Sequence, residues 1–222
     1  MDKKTVFLTG GTGFVGMNIA QRMLADGWDV ILYARKAPDA SFLEELKQLA
    51  GRLIFEAGDV RDQDRMEAIL EKHQVDDFVH GAAITPDYEM ERNHPAVILD
   101  VNCMGLLHGM LAAANKGIRR FLCLGSISAY GSTAFQEGVL EEGVSAGNPH
   151  SLYELSKFTG ERLVLRIKEL YSMNAYVARI GDVYGPWERY TGVRGHMSLI
   201  YQTTAAAMRG ESVILPRPCL QD

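Results

Sequence analysis

Thr9-Gly10-Gly11-Thr12-Gly13-Phe14-Val15-Gly16 stands between an apolar run, Thr5–Thr9 (TVFLT), and an amphipathic one, Phe14–Ala25. The first run reads as a buried strand and the second as a helix. A strand that passes into a helix this abruptly needs positive φ and room for close backbone approach, and glycine supplies both. The start of the helix adds free N–H groups and the positive end of its dipole, which suit a phosphate. The spacing fits GxGxxG through Gly11, Gly13 and Gly16, and GxxGxxG through Gly10, Gly13 and Gly16. Directly after a first strand, this pattern predicts a dinucleotide whose pyrophosphate meets Gly10, Gly13, Phe14, Val15 and Gly16. A tight strand-to-helix turn without a ligand is the plainer alternative.

The same rhythm repeats outward from the loop. Asp29–Tyr33, Leu53–Glu56, Asp77–His80, Arg120–Leu124 and Asn174–Ala178 read as strands, and Ser41–Leu49, Asp62–Lys72, Ala96–Asn115 and Leu152–Tyr171 as helices. Strands that are apolar throughout, rather than alternating, belong to a sheet covered on both faces, and strands separated by helices pair in parallel. The fold class is therefore α/β, a doubly wound parallel sheet of Rossmann type. Residues 1–178 form the expected dinucleotide-binding domain, and 179–222 the start of a smaller substrate-binding part, apparently truncated. In that part Met197–Met208 reads as a helix and Ser212–Leu215 as a short strand. Gly131–His150 is a long irregular stretch, and loops of such length inside compact domains are usually functional.

Composition narrows the partners. A net charge of −5 leaves no basic footprint for nucleic acid. Three widely spaced cysteines, Cys103, Cys123 and Cys219, form no CxxC and suit a reducing cytoplasm. The N-terminus carries no export pattern, and no apolar stretch approaches the roughly 18 residues of a membrane span, so no membrane partner is expected. The six histidines show no metal spacing, and no metal is expected.

At the end of the second strand, where a carboxylate would bond the ribose hydroxyls of NAD, stands Tyr33-Ala34-Arg35-Lys36. Two cations and no acid suit a 2′-phosphate, so the cofactor is NAD(P) with NADP favoured, unless Arg35 and Lys36 are solvated loop charges. After the third strand, Asp59 in Gly58-Asp59-Val60 suits the adenine amino group or the N-cap of the next helix. Tyr153-Glu154-Leu155-Ser156-Lys157 sets a phenol and an ammonium four apart on one helix face. A tyrosine near pKa 10 is a poor base alone, and a neighbouring cation favours its phenolate, which makes a proton relay for alcohol/ketone chemistry. Ser126 and Ser128, just past the fifth strand, face the ligand crevice of such a sheet and suit a hydrogen bond to the substrate oxygen.

Together the glycine loop, Asp59-Val60, His80-Gly81-Ala82-Ala83, Val101-Asn102, Ser126, Tyr153/Lys157 and Arg179-Ile180-Gly181-Asp182-Val183-Tyr184-Gly185-Pro186 resemble the extended short-chain dehydrogenase/reductases, the NAD(P)-dependent sugar epimerase/dehydratase group. The resemblance runs in order from about Thr5 to Leu215. It implies that Ser126 is the catalytic hydroxyl, Tyr153 the general acid/base and Lys157 its partner, with Lys157 also on the nicotinamide ribose. It implies that Ala82 and Ala83 pass close to the cofactor, that Asn102 belongs with the cofactor-binding residues and orders its helix or a water, and that the protein is a homodimer through its two long helices. Dehydratases of the group carry an Asp-Glu pair after the catalytic hydroxyl; here Ile127-Ser128 stands instead, which favours epimerase, reductase or dehydrogenase.

The expected substrate is a small sugar, sugar acid or nucleotide sugar. Thr85 and Ser128 are candidates to meet it, as are Arg179, Tyr184 and Arg189; Arg179 suits either a carboxylate or phosphate clamp or a structural ion pair. The rival reading is a non-catalytic dinucleotide-binding or sensing protein on the same fold. Such proteins commonly lack the Tyr/Lys pair that this chain retains.

Overall fold

The structure, a computed structural model, describes residues 4–136, 138–195 and 197–213. Six parallel strands, β1 (Thr5–Thr9), β2 (Asp29–Ala34), β3 (Leu53–Ala57), β4 (Asp77–His80), β5 (Arg120–Ser126) and β6 (Ala175–Ile180), form one sheet in the order β3-β2-β1-β4-β5-β6. This is the order of a doubly wound dinucleotide fold, with the chain reversing direction across the sheet between β1 and β4. The period-2 geometry of β1 explains why its five residues are apolar or small: Val6 and Leu8 enter the core on one face, Phe7 the core on the other. The first core lies under α1 (Phe14–Ala25) and α2 (Ala40–Leu46), with Met17, Ala20, Leu24, Phe42 and Leu46. The second lies under α3 (Gln63–Lys72), with Met66, Ile69 and Leu70, and under the helices that follow β4 and β5.

The segment expected as one helix over Ala96–Asn115 is three consecutive pieces. A short helix α4 (Tyr88–Asn93), capped by Asp87, precedes α5 (Pro95–Leu99), a π-helical turn (Asp100–Met104) and α6 (Gly105–Asn115). Periodicity cannot reveal a π turn, which inserts one residue per turn without changing composition. Its effect is local: Asn102 is buried, and Gly105 lies where a Cβ would stand 2.5 Å from Val60 Cγ2. Pro95–Asn115 also corrects the membrane reading. With 21 residues and a mean hydropathy of 1.6, it is long and apolar enough to cross a bilayer by length and composition. In the fold Leu106, Met110, Ala112 and Ala113 of this segment pack in the core.

α7 (Leu152–Leu170) begins in a capping box, Ser151 Oγ accepting from the Glu154 amide while the Glu154 carboxylate accepts from the Ser151 amide. A carboxylate from α4, Glu91, accepts from the Leu152 amide and adds negative charge at the same positive helix end. β5 runs two residues further than its apolar run suggested and ends on Ser126, paired with Ile180. β6 likewise runs past the expected domain border at residue 178. The last described helix is α8 (Leu199–Met208). Of the expected strand Ser212–Leu215, Ser212 and Val213 have no regular structure, and the rest lies outside the described residues, as does Cys219. Cys103 and Cys123 are free thiols, and burial pushes the Cys123 thiol up to about 11.

The reversal point is tied by one hydroxyl. Thr9 Oγ1, at the end of β1, accepts from the amides of Gly81 and Ala82 at 3.2 and 3.3 Å, so its own proton faces His80 Nδ1 at 3.2 Å. His80 is therefore a neutral imidazole protonated at Nε2, an atom that is buried and without a partner among the described residues. Burial, and then the Lys157 charge, hold its pKa down to about 3. Below its ordinary value of 6.5 the unfolded chain binds a proton that the folded chain refuses. Stability therefore rises with pH between about 3 and 6.5 on account of this group. From pH 6 to 4 the native protein is expected to lose up to about 1.4 kcal/mol per pH unit more than a His80→Gln variant. Denaturant titrations of both proteins across this range measure the difference, and parallel pH profiles would refute it.

Candidate active site

At the ends of β1, β2 and β4 opens a cleft of about 390 Å³. Its walls include Gly10, Gly13, Arg35, Asp59, Val60, Ala82 and Ala83, which are the residues read from sequence for a dinucleotide. The glycine loop is built for close backbone approach. Gly10 sits at φ +68°, and a Cβ there would lie 2.7 Å from the Ala82 amide nitrogen; one on Gly16 would lie 2.3 Å from the Gly10 carbonyl oxygen. Gly13 is the N-cap of α1 and uses its amide on Gly10 O at 3.0 Å. The loop leaves the start of α1 facing the cleft, where an anion gains from the free N–H groups and the dipole. These features fit a pyrophosphate.

Phe14, Val15 and Gly16 do not line the cleft with side chains. Phe14 is buried beneath the Arg194 guanidinium, Val15 packs on the α1 side of the core, and Gly16 fills the space under Gly10. Asp59 faces the cleft with its carboxylate gripped by Arg61, which donates from Nε at 2.9 Å and from the second guanidinium nitrogen at 2.8 Å. That pair holds its pKa below the ordinary carboxylate value. The N-cap of α3 is Asp62, so Asp59 is not used there. Tyr33, at the floor, donates to Asp59 O at 2.9 Å, and burial raises its phenol to about 12.

Asn102 stands apart from the cleft wall, which corrects its place among the cofactor contacts. Its Oδ1 accepts from the Ile84 amide at 2.7 Å, and its Nδ2 donates to Ile84 O and to Ser156 Oγ at 2.9 and 3.0 Å. Ser156 Oγ in turn donates to Tyr153 O at 2.8 Å. Asn102 thus ties the loop after β4 to the helix that carries Tyr153.

Tyr153 and Lys157 lie on α7, which packs on β5, the strand that ends on Ser126, and on the 3-10 turn Ile127–Tyr130. Lys157 Nζ donates to Leu124 O at 3.0 Å, two residues before Ser126, and lies 5.7 Å from the Tyr153 ring centroid. Ser126 is buried and its Oγ accepts from the Ser128 amide at 3.1 Å, which fixes the hydroxyl and leaves it a proton to donate. Of the two roles expected for Arg179, the one formed is the structural ion pair and not the substrate clamp. Its guanidinium donates to both oxygens of Glu161 on α7 at 2.8 and 2.5 Å and stacks 4.3 Å from the Tyr130 ring centroid. Thr85 acts through its backbone, its amide donating to Val193 O at 2.9 Å and its carbonyl accepting from Gly195 N at 2.7 Å.

A profile described as the NAD dependent epimerase/dehydratase family matches residues 6–218. The chain belongs to that family. The epimerase/dehydratase relatives include a UDP-glucose 4-epimerase of Neisseria gonorrhoeae, 28% identical over 167 residues, which cover 74% of this chain and 48% of that protein. A dTDP-4-dehydro-6-deoxy-D-allose reductase of Streptomyces bikiniensis is 27% identical over 215 residues, 95% of this chain and 64% of that protein. The chain thus spans about half to two thirds of the length of these curated relatives. The fold is shared with the UDP-glucose 4-epimerase of Thermus thermophilus solved in complex with NAD, at a TM-score of 0.77 and 23% identity, covering 94% of this chain and 64% of that one.

Two features of this site escaped the sequence reading. One is the Thr9 hydroxyl at the reversal point, signalled only by a polar residue closing an apolar strand. The other is the placement of residues 186–194: Arg189, expected at the substrate, lines this cleft together with Tyr190, Thr191 and Val193, none of which was singled out. Among the described residues, no three His, Cys, Asp or Glu converge as metal ligands.

Proposed function

We propose that the chain is the cofactor- and proton-handling part of an NAD(P)-dependent oxidoreductase or epimerase. Its reaction is hydride transfer at a secondary alcohol or ketone of a sugar, sugar acid or nucleotide sugar. The observation that carries this reading is the Lys157–Leu124 hydrogen bond, 3.0 Å, which anchors the Tyr/Lys pair beside Ser126 at the carboxyl end of β5. The relatives named above act on nucleotide sugars by their descriptions, which supports the substrate class.

A nicotinamide held in the cleft supplies the hydride acceptor. The chain's own work is proton handling: Tyr153, as phenolate, takes the hydroxyl proton, and the Lys157 ammonium favours that charge. Ser126 donates a hydrogen bond to the reacting oxygen. Elimination of water needs a further acid and base, and Ile127-Ser128 offers neither, so a dehydratase is disfavoured.

Arg35 and Lys36 on the cleft wall support NADP over NAD. Titration of the chain with each dinucleotide is expected to give the lower Kd for NADP, and a clear preference for NAD would sink that choice. Incubating the loaded chain with a panel of sugar acids and nucleotide sugars tests the reaction. Cofactor reduction with one of them, or its conversion to the epimeric sugar without net reduction, supports it, whereas tight cofactor binding with neither change across the panel favours a dinucleotide sensor.

A further inference from the structure

Residues 186–194 form a strap across the mouth of the cleft, fastened on both sides. On one side Asn18 Nδ2 donates to Pro186 O at 2.8 Å, Trp187 Nε1 donates to Gln21 Oε1 at 3.2 Å, and the Trp187 ring stands edge-on to Phe42 with centroids 5.1 Å apart. On the other, Val193 O and Gly195 N pair with the backbone of Thr85. The buried Glu188 carboxylate accepts from Arg194 at 2.8 Å and from the Ser198 amide and hydroxyl at 2.6 and 2.7 Å, which locks the strap to the start of α8. Trp187 is held at φ +69°, a strained value for a bulky residue, so these fastenings over-determine the strap's path.

The strap places one cation in the cleft beside the glycine loop. Arg189 donates to Thr12 O at 3.3 Å, to Trp187 O at 3.1 Å and toward Met17 Sδ at 3.2 Å, and pairs with Asp39 at 2.9 Å. Thr12 immediately precedes the N-cap of α1, so the guanidinium stands next to the helix end that favours an anion. Its counter-ion is weakly held, because the Asp39 side chain is 54% exposed and water competes for it, while the Arg189 side chain is 31% exposed. A diphosphate carries more charge than one carboxylate and matches the guanidinium fork, so it displaces Asp39.

We propose that Arg189 is a dinucleotide-binding residue that clasps the pyrophosphate from the strap side, with Asp39 as its resident counter-ion in the free protein. This rests on the dinucleotide reading of the cleft. It makes the strap, contributed from beyond β6, part of the cofactor site rather than of the substrate site.

The test is fluorescence or calorimetric titration of the chain with NAD and with NADP, for the native protein and for Arg189→Ala, Arg189→Lys and Asp39→Asn. Arg189→Ala is expected to weaken both dinucleotides at least about tenfold and by the same factor, with part of the loss restored in Arg189→Lys. Asp39→Asn, which frees the guanidinium, is expected to tighten both a few-fold, and it serves as the test if Arg189→Ala does not fold. Unchanged NAD affinity in Arg189→Ala overturns the assignment, and so does a loss confined to NADP, which would put Arg189 at the 2′-phosphate. If Arg189→Ala does not fold, unchanged or weaker binding in Asp39→Asn overturns it. If the native chain binds neither dinucleotide, the reading of the cleft fails as well; if it does bind and Arg189→Ala matches it, only the role of Arg189 fails.

Discussion

Replacement of Tyr153 by Phe is expected to lower turnover by roughly 10²- to 10⁴-fold, the usual weight of a positioned acid/base, while dinucleotide affinity stays within about twofold. The reason for expecting so clean a separation lies in how the ring is held. Tyr153 sits in the first turn of α7, which is fixed by the Ser151–Glu154 box and by Glu91, and its carbonyl is fixed by Ser156. None of these uses the phenol oxygen, and the Lys157 ammonium can still rest over a phenyl face. Lys157 also keeps its bond to Leu124 O. The variant therefore loses the proton carrier and little else. Progress curves of cofactor reduction or of sugar epimerisation, run beside a binding titration on the same preparation, decide the matter: native-like turnover removes Tyr153 from the chemistry, and a parallel loss of binding makes its role structural.

Gly16→Ala is expected to abolish dinucleotide binding, by at least about 100-fold, and to cost roughly 1–3 kcal/mol of stability. The added methyl group would stand 2.3 Å from the Gly10 carbonyl oxygen and 2.8 Å from Gly11 Cα. Both are backbone atoms of the phosphate loop, so no side chain can swing aside to relieve the clash, and the loop itself must move away from α1. Gly27→Ala is the matched control. Gly27 follows the other end of α1 at φ +84°, and a Cβ there meets nothing within 4 Å. It should carry only the strain of a left-handed alanine, on the order of 1–2 kcal/mol, and leave binding untouched. Thermal melts and cofactor titrations of the two variants separate them, and native affinity in Gly16→Ala would mean that the loop does not hold the cofactor.

Elements whose cause is local were legible before the fold was known. The apolar run of β1, the glycine loop and the 3.6 period of α1 and α7 each follow from a few adjacent residues, and βα alternation then leaves few topologies open. The YxxxK pair was legible for the same reason, since four residues on a helix share a face. The π turn was not, because it is set by where Asn102 and Gly105 must pack against Ile84, Ser156 and Val60. Nor was the fate of Arg179. Its partner Glu161 lies 18 residues earlier on another element, and a guanidinium in sequence looks the same whether it awaits a ligand or already holds a carboxylate.

By itself, then, the sequence determined the class of fold, the phosphate loop and the identity of the Tyr/Lys pair, because periodicity and steric freedom act over a handful of bonds. The tertiary structure alone decided which charges are free and which are spent. It paired Arg179 with Glu161, turned Asn102 from the cofactor to the helix that carries Tyr153, left His80 neutral at the reversal point, and carried Arg189 across more than 170 residues to the glycine loop. Electrostatic and hydrogen-bond partners are chosen by distance in space, and that distance exists only once the sheet is assembled.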